Sequence, residues 1–242
     1  MDIGIIGHGR IGKLLSNYLS RDFDVYVYDK SKSQIDQKNT RYQFSTLDEI
    51  CNKRIILPLV PISDFEETIE TIKTKINKNA IVIDACSVKE FPIKIMLQKL
   101  PKSVSIIGSH PMFGPDSVKD TLFGAKIVLC KTRINDHLFN DIKNYLQNYG
   151  VRVIETSAEN HDREISQSLV LTHFIGRSLV EFESHDLMID TKGYRRLMKI
   201  LETVINDSWQ LFEDMNKYNQ FAKSTRNDFL TAMNNISKKL DQ

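Results

Sequence analysis

The chain has 242 residues, 41% hydrophobic and 26% charged, a balance that suits a soluble globular protein with a substantial core in one large domain or two smaller ones. Its 33 basic and 31 acidic residues leave a net charge of +2 and no basic tract, which excludes the electrostatic signature of a nucleic-acid or anionic-membrane binder. No apolar run approaches the roughly 18 residues of a membrane span, and Cys51, Cys86 and Cys130 are too scattered for a disulfide framework or a zinc site, so a reducing cytoplasm and no metal are expected.

Met1 leads straight into an apolar strand over residues 3–6, so no signal or transit peptide is expected. Further strands are expected over 25–28, 54–59, 80–84, 104–107, 126–129 and 151–154, with amphipathic segments between them. The clearest of these carries Leu138, Ile142, Tyr145 and Tyr149 at helical spacing and stops at Gly150. Such alternation predicts an α/β fold: a Rossmann-type, mostly parallel sheet covered on both faces. From about Thr156 the character changes to long helical patterns over roughly 158–184, 193–217 and 219–240, with Asp190-Thr191 as a start signal. The expected organisation is a dinucleotide-binding domain over 1–156 and an all-helical domain over 157–242. Three helices with this much apolar surface are thin alone, so homodimerisation through them is expected.

Gly7-His8-Gly9-Arg10-Ile11-Gly12 follows the first strand and opens a helix with Ile11, Leu14, Leu15 and Leu19 on its apolar face. The first glycine permits the tight turn, the second lets backbone approach a pyrophosphate, and the third packs helix on strand. The helix N-terminus offers N–H groups to the phosphates. Asp29, ending the second strand, stands near the spacing at which a carboxylate takes the adenosine ribose hydroxyls. A carboxylate there repels a 2′-phosphate and favours NAD, whereas Lys30 and Lys32 beside it could hold that phosphate and admit NADP. His8 and Arg10 are expected along the phosphates or in solvent. Leu59, at the end of an apolar run closed by Pro58 and Pro61, is expected beside the cofactor.

In open α/β sheets the ligand lies outside the carboxyl ends of the strands. Two polar residues are delivered to that edge: Ser87 after the strand 80–84, and His110 after the strand 104–107. Pro111 and Pro115 restrict their neighbours, so His110 is expected in a rigid, exposed loop. A histidine so held is a candidate general base, with an unperturbed pKa of about 6.5; a lone loop histidine carries no chemistry, and it is the convergence with Ser87 that assigns it one. If 158–180 form one helix, Asp162, Ser166, His173 and Arg177 fall within roughly 60° of one another. That polar stripe on an otherwise apolar helix is expected to line a cleft, with a structural, hydrogen-bonded His173 as the alternative.

Three ordered motifs, Asp84-Ala85-Cys86-Ser87-Val88-Lys89, Ser109-His110-Pro111-Met112-Phe113-Gly114-Pro115, and His161-Asp162-Arg163 followed by Gln167 and Thr172-His173-Phe174, resemble the prephenate/arogenate dehydrogenase family. Thr191-Lys192-Gly193-Tyr194 and the segment 207–212 are similar to its plant-like arogenate dehydrogenase branch. The resemblance, which covers nearly the whole chain, implies NAD(P)-dependent oxidative decarboxylation of arogenate to tyrosine or of prephenate to 4-hydroxyphenylpyruvate. It casts His110 as acceptor of the substrate hydroxyl proton, Ser87 as its orienting partner and His173 as a substrate contact. One departure stands out: where many bacterial members carry an arginine for the side-chain carboxylate, this chain has about Thr203, as plant-like members do. Arg196, nearly on the same helix face, and Arg195, Arg177 and Arg163 are all candidates to replace it, with a solvated surface charge as the alternative for each; Asp162 is a candidate partner for the arogenate ammonium. The competing readings are another two-domain hydroxyacid or imine dehydrogenase, and an NAD-binding sensor without turnover.

Overall fold

A computed structural model of the chain describes residues 1–31, 40–118 and 121–242. Lys32 therefore lies outside the described residues. The chain divides into two compact units, Met1–Glu159 and Asn160–Gln242.

In the first unit, β1 (Asp2–Ile6), α1 (Arg10–Leu19), β2 (Asp24–Tyr28), β3 (Gln43–Phe44), α2 (Leu47–Cys51), β4 (Ile55–Pro58), α3 (Ile62–Ile72), β5 (Ile81–Ile83), α4 (Glu90–Lys99), β6 (Ser105–Pro111), β7 (Lys126–Arg133), α5 (Asp136–Asn148) and β8 (Arg152–Glu155) follow in order. The strands form one sheet in the order β3-β2-β1-β4-β5-β6-β7-β8, parallel at every pairing except β6 with β7. β1 lies between β2 and β4, so the chain leaves β1 in one direction and later resumes on its other side. That switch point is where such sheets take ligands. Ile5, Val27, Ile56, Ile106 and Ile107 are wholly buried, which explains strands that read as continuous apolar runs. Side chains start the helices where the sequence allows: Thr46 and Glu49 form a reciprocal capping box on α2, and Asn135 accepts the Leu138 N–H at 2.9 Å on α5. Gly150 has φ +73°, the left-handed conformation expected of the residue closing α5.

One strand boundary departs from expectation in a way that matters. β6 does not end at Ile107 but runs on through Gly108, Ser109, His110 and Pro111, which pair with Cys130, Leu129, Val128 and Ile127 of β7. Gly108 looks like a loop residue in the sequence, yet it is there for packing: a Cβ would meet the Ile93 side chain at 2.5 Å. His110 is accordingly a buried strand residue, only 5% exposed, and not an exposed loop histidine.

The second unit is helical apart from its connections. α6 (Ala158–Ile165), a π-helical turn (Ser166–Val170) and α7 (Leu171–Glu181) are followed by α8 (Lys192–Ile205), α9 (Trp209–Tyr218) and α10 (Ala222–Leu240). The pattern expected as one helix over 193–217 is two, because Ser208 caps a new start, its hydroxyl accepting the Leu211 N–H at 3.1 Å. Thr191 caps α8 through the Tyr194 N–H at 3.1 Å. Gly176 of α7 lies against α8, where an added Cβ would meet Val204 at 2.6 Å. Among the described residues no helix is long and apolar enough to cross a membrane.

Candidate active site and nucleotide cradle

The three glycines of the first turn do three different things. Gly7 has φ +102°, and a Cβ on it would stand 2.3 Å from the Leu59 carbonyl oxygen, so glycine is required by conformation and by space. Leu59 is buried at the same contact; what it brings to the turn is backbone packing. A Cβ on Gly12 would lie 2.3 Å from the Gly7 carbonyl, which brings α1 directly against the turn. Gly9 is different. Nothing lies within 4 Å of its would-be Cβ, and it begins α1 without any side-chain cap. The result is an open space at a helix N-terminus, flanked by half-buried Ile11, and it fits a pyrophosphate.

Asp29 is tied to this turn: its carboxylate accepts the His8 N–H at 2.6 Å and the Ser31 N–H at 2.9 Å. The end of β2 is thereby fixed beside the glycine-rich turn, where an adenosine ribose would lie. The His8 side chain corrects the expectation. It is buried, with Nε2 3.0 Å from the Tyr42 hydroxyl and its ring edge-on to Phe44, because the residue after Gly7 turns inward toward the aromatic pair next to β3. Only the backbone of His8 belongs to the cradle. Arg10 reaches Asp116 at 2.5 Å, linking the turn to the loop after β6, and Lys30 lies 3.5 Å from Asp64.

At the same edge, half-buried Ser87 stands in the bend between β5 and α4, and His110 near the end of the adjacent β6. No hydrogen bond joins the two among the described residues. Beneath them lies a cluster that residue-by-residue reading passed over, formed by Asp84, Lys89 and Ser109, all buried. Burial pushes the Asp84 carboxyl upward and the neighbouring Lys89 ammonium opposes it. The signal in the sequence was two charges in the otherwise apolar and small run from Ala80 to Lys89.

In the helical unit the expected polar stripe splits in two. The π turn between Ser166 and Val170 widens the helix and breaks the 100° phase, a common device at functional sites. Asp162 and Ser166 turn toward the chain around α10: Asp162 is wholly buried with Oδ1 2.7 Å from His161 Nδ1, its carbonyl accepts Asn219 Nδ2 at 2.8 Å, and the Ser166 hydroxyl lies 3.0 Å from that of Thr225. Asp162 is thus a buried carboxylate whose described partners, His161 and Asn219, belong to its own unit. His173 and Arg177 instead face the end of α8. His173 Nε2 lies 3.5 Å from the Asp207 carboxylate, and its buried Nδ1 makes no hydrogen bond among the described residues. Burial pushes the His173 pKa below the ordinary histidine value; Asp207 pulls it up and Arg177 pushes it further down. Arg177 donates to the backbone carbonyls of Val204, at 3.1 Å, and Asp207, so its guanidinium is engaged in closing α8. Of the remaining arginines, Arg163 stacks over Phe221, Arg195 lies 3.5 Å from Asp190, and Arg196 is exposed on α8.

The eight-stranded sheet, its switch point and the glycine cradle define a nucleotide-binding α/β unit joined to a helical one. The family model described as prephenate dehydrogenase, nucleotide-binding domain, matches residues 12–155, and the chain belongs to the prephenate dehydrogenase family. A TYRAAT1-like C-terminal domain model matches residues 178–242. Among curated relatives, arogenate dehydrogenase 1 of Arabidopsis thaliana is 30% identical over 99% of this chain and 39% of its own length, and arogenate dehydrogenase 2 is 28% identical over 99% of this chain and 70% of its own; both are chloroplastic. The chain thus spans about two fifths of the first relative. Among solved structures, Synechocystis arogenate dehydrogenase superposes with a TM-score of 0.73 at 20% identity, covering 100% of this chain and 92% of that one. Prephenate dehydrogenase from A. aeolicus, in complex with hydroxyphenyl propionate and NAD+, superposes with a TM-score of 0.77 at 19% identity, covering 99% and 90%.

Proposed function

We propose that the protein is an NAD-dependent dehydrogenase that oxidatively decarboxylates arogenate to tyrosine, with prephenate as the lesser substrate. The observation that carries the reading is the placement of Ser87 and His110 at the ends of adjacent strands, β5 and β6, on the edge where the glycine cradle opens. When bound, NAD supplies the acceptor for the hydride that leaves C4 of the substrate ring. An imidazole nitrogen of His110 takes the proton from the C4 hydroxyl as that carbon becomes a carbonyl. The ring carboxylate then leaves as carbon dioxide, its bonding electrons complete the aromatic ring, and the phenolate oxygen left at C4 takes the proton back from His110. Ser87 donates to the reacting hydroxyl oxygen and fixes its direction toward His110. Burial of His110 keeps bulk water from competing for the transferred proton.

Residues 1–156 bind the cofactor and 157–242 contribute substrate contacts. His173 meets the substrate through Nδ1. Arg196 binds the side-chain carboxylate: of the four candidate arginines it is the one whose side chain is exposed and makes no hydrogen bond, ion pair or ring contact among the described residues. Asp207, beside His173, takes the place assigned to Asp162 and favours the ammonium of arogenate over the ketone of prephenate. Asp29 favours NAD over NADP by repelling a 2′-phosphate. The helical unit forms a homodimer, a reading supported by the exposed line of Leu230, Met233, Ile236 and Leu240 on one face of α10. The cysteines are buried thiols, which supports a reducing, cytoplasm-like compartment.

Purified protein assayed for NADH formation with each substrate and each cofactor tests the reading. Arogenate with NAD is expected to give the highest kcat/KM. Turnover of prephenate alone would overturn the arogenate preference, and binding of NADH without turnover of either substrate would leave the sensor reading in its place.

A further inference from the structure

The six residues from Asp84 to Lys89 leave β5, carry Ser87 and enter α4, and their two ends are joined by an ion pair in which neither side chain has any solvent exposure. The Lys89 ammonium donates to Asp84 Oδ2 and to the Ser109 carbonyl. Asp84 Oδ2 also accepts the Cys86 N–H at 3.1 Å, bending the chain just after β5, and Oδ1 accepts the Ser109 N–H of β6 at 3.1 Å. The Ser109 hydroxyl donates to the Asp84 carbonyl. The N–H, the carbonyl and the hydroxyl of Ser109 are therefore all held by these two residues.

Ser109 immediately precedes His110, and the Ser109 carbonyl and His110 nitrogen belong to one rigid peptide plane. Fixing that carbonyl fixes the plane from which the His110 side chain departs. The same ammonium, by reaching back to Asp84, closes the turn that carries Ser87. A buried ion pair gains little stability over apolar side chains of similar volume, so stability alone does not account for two charges here; holding one geometry does. We propose that Asp84 and Lys89 are positioning residues, a buried clamp that fixes the Ser87 turn and the His110 peptide relative to each other. The proposal rests on the catalytic roles given above to Ser87 and His110.

Lys89→Met alone leaves the Asp84 charge buried without its counter-ion and is expected to yield little folded protein. The informative variant is Asp84→Asn/Lys89→Met, which removes both charges and keeps an acceptor for the Ser109 N–H. It is expected to bind NADH as the parent does and to hold KM for arogenate within about threefold, while kcat falls about 100-fold, the cost of displacing a reacting group by an ångström. The His110 imidazole 15N resonances, assigned by their loss in His110→Asn, are expected to move away from their parent positions. A folded double variant with parent kcat and parent resonances overturns the clamp. So does a loss of NADH affinity and KM in step with kcat, which marks general disruption. Should the double variant not fold, Ser109→Ala, which cuts one tie, decides: its kcat falls about tenfold with displaced His110 resonances, or the clamp is wrong. If the parent protein turns over neither arogenate nor prephenate, the functional reading fails, and the NMR arm still decides the clamp.

Discussion

Replacing Gly9 by alanine separates the nucleotide cradle from the fold that carries it. Gly9 has φ −70°, which alanine adopts without strain, and the added methyl meets nothing within 4 Å. The structural cost is that of alanine at a helix N-cap, about 1 kcal/mol, which for a chain of this size lowers Tm by about 3 °C. The methyl does occupy the space through which a pyrophosphate reaches the first N–H groups of α1. Losing two charge-assisted hydrogen bonds there costs about 3 kcal/mol, or roughly 100-fold in Kd. Gly12→Ala is the contrasting variant: its Cβ would stand 2.3 Å from a backbone oxygen, so the helix must move away from the turn. Overpacking of that kind costs about 3 kcal/mol, or about 9 °C. Fluorescence titration with NADH and thermal melts of both variants check the pair. A Gly9→Ala protein that binds NADH within about threefold of the parent would falsify the assignment of that space to the pyrophosphate.

Other expectations follow from the helical unit. Because burial depresses the His173 pKa, the folded state binds fewer protons than the unfolded state between the depressed value and about 6.5, so stability falls as pH drops through that window. His173→Gln should lose less Tm than the parent between pH 8 and pH 5.5; equal losses would show that His173 titrates normally. Asp207→Asn should raise KM for arogenate about tenfold while leaving prephenate nearly unchanged, read from initial rates with both substrates. A parallel rise for the two would remove Asp207 from substrate discrimination. Met233→Glu on the exposed face of α10 should convert a dimer to a monomer in sedimentation velocity, and a parent that already sediments as a monomer refutes the dimer.

Much of the first unit was legible because its strands are buried on both faces and read as apolar runs, and because glycine requirements are local: Gly7, Gly12 and Gly150 each answer to a φ angle or a contact within the same turn. β3 escaped notice, since two residues, Gln43 and Phe44, carry no periodicity. The end of β6 escaped for a different reason. Gly108 and Pro111 are loop signals in isolation, and only the antiparallel partner β7, distant in sequence, turns them into strand. The same long-range dependence hid the inward turn of His8, which needs Tyr42 and Phe44 beside it. In the helical unit, residue periodicity assumes a constant 100° step, and the π turn at Ser166–Val170 violates that assumption, so Asp162 and His173 ended on different partners. Charged residues in the run from Asp84 to Lys89 were visible, but their pairing through Ser109 was not, because hydrogen-bond partners are set by strand adjacency rather than by spacing.

The central claim, that His110 is the base at a cofactor edge built for oxidative decarboxylation, is tested most directly by His110→Asn assayed with arogenate and NAD beside the parent protein, with tyrosine, carbon dioxide and NADH quantified together. The parent is expected to release the three in equal amounts, and the variant to bind NADH with unchanged affinity while kcat falls by about 1,000-fold. A variant that keeps the parent rate, or a parent that forms NADH without tyrosine and carbon dioxide, contradicts the account.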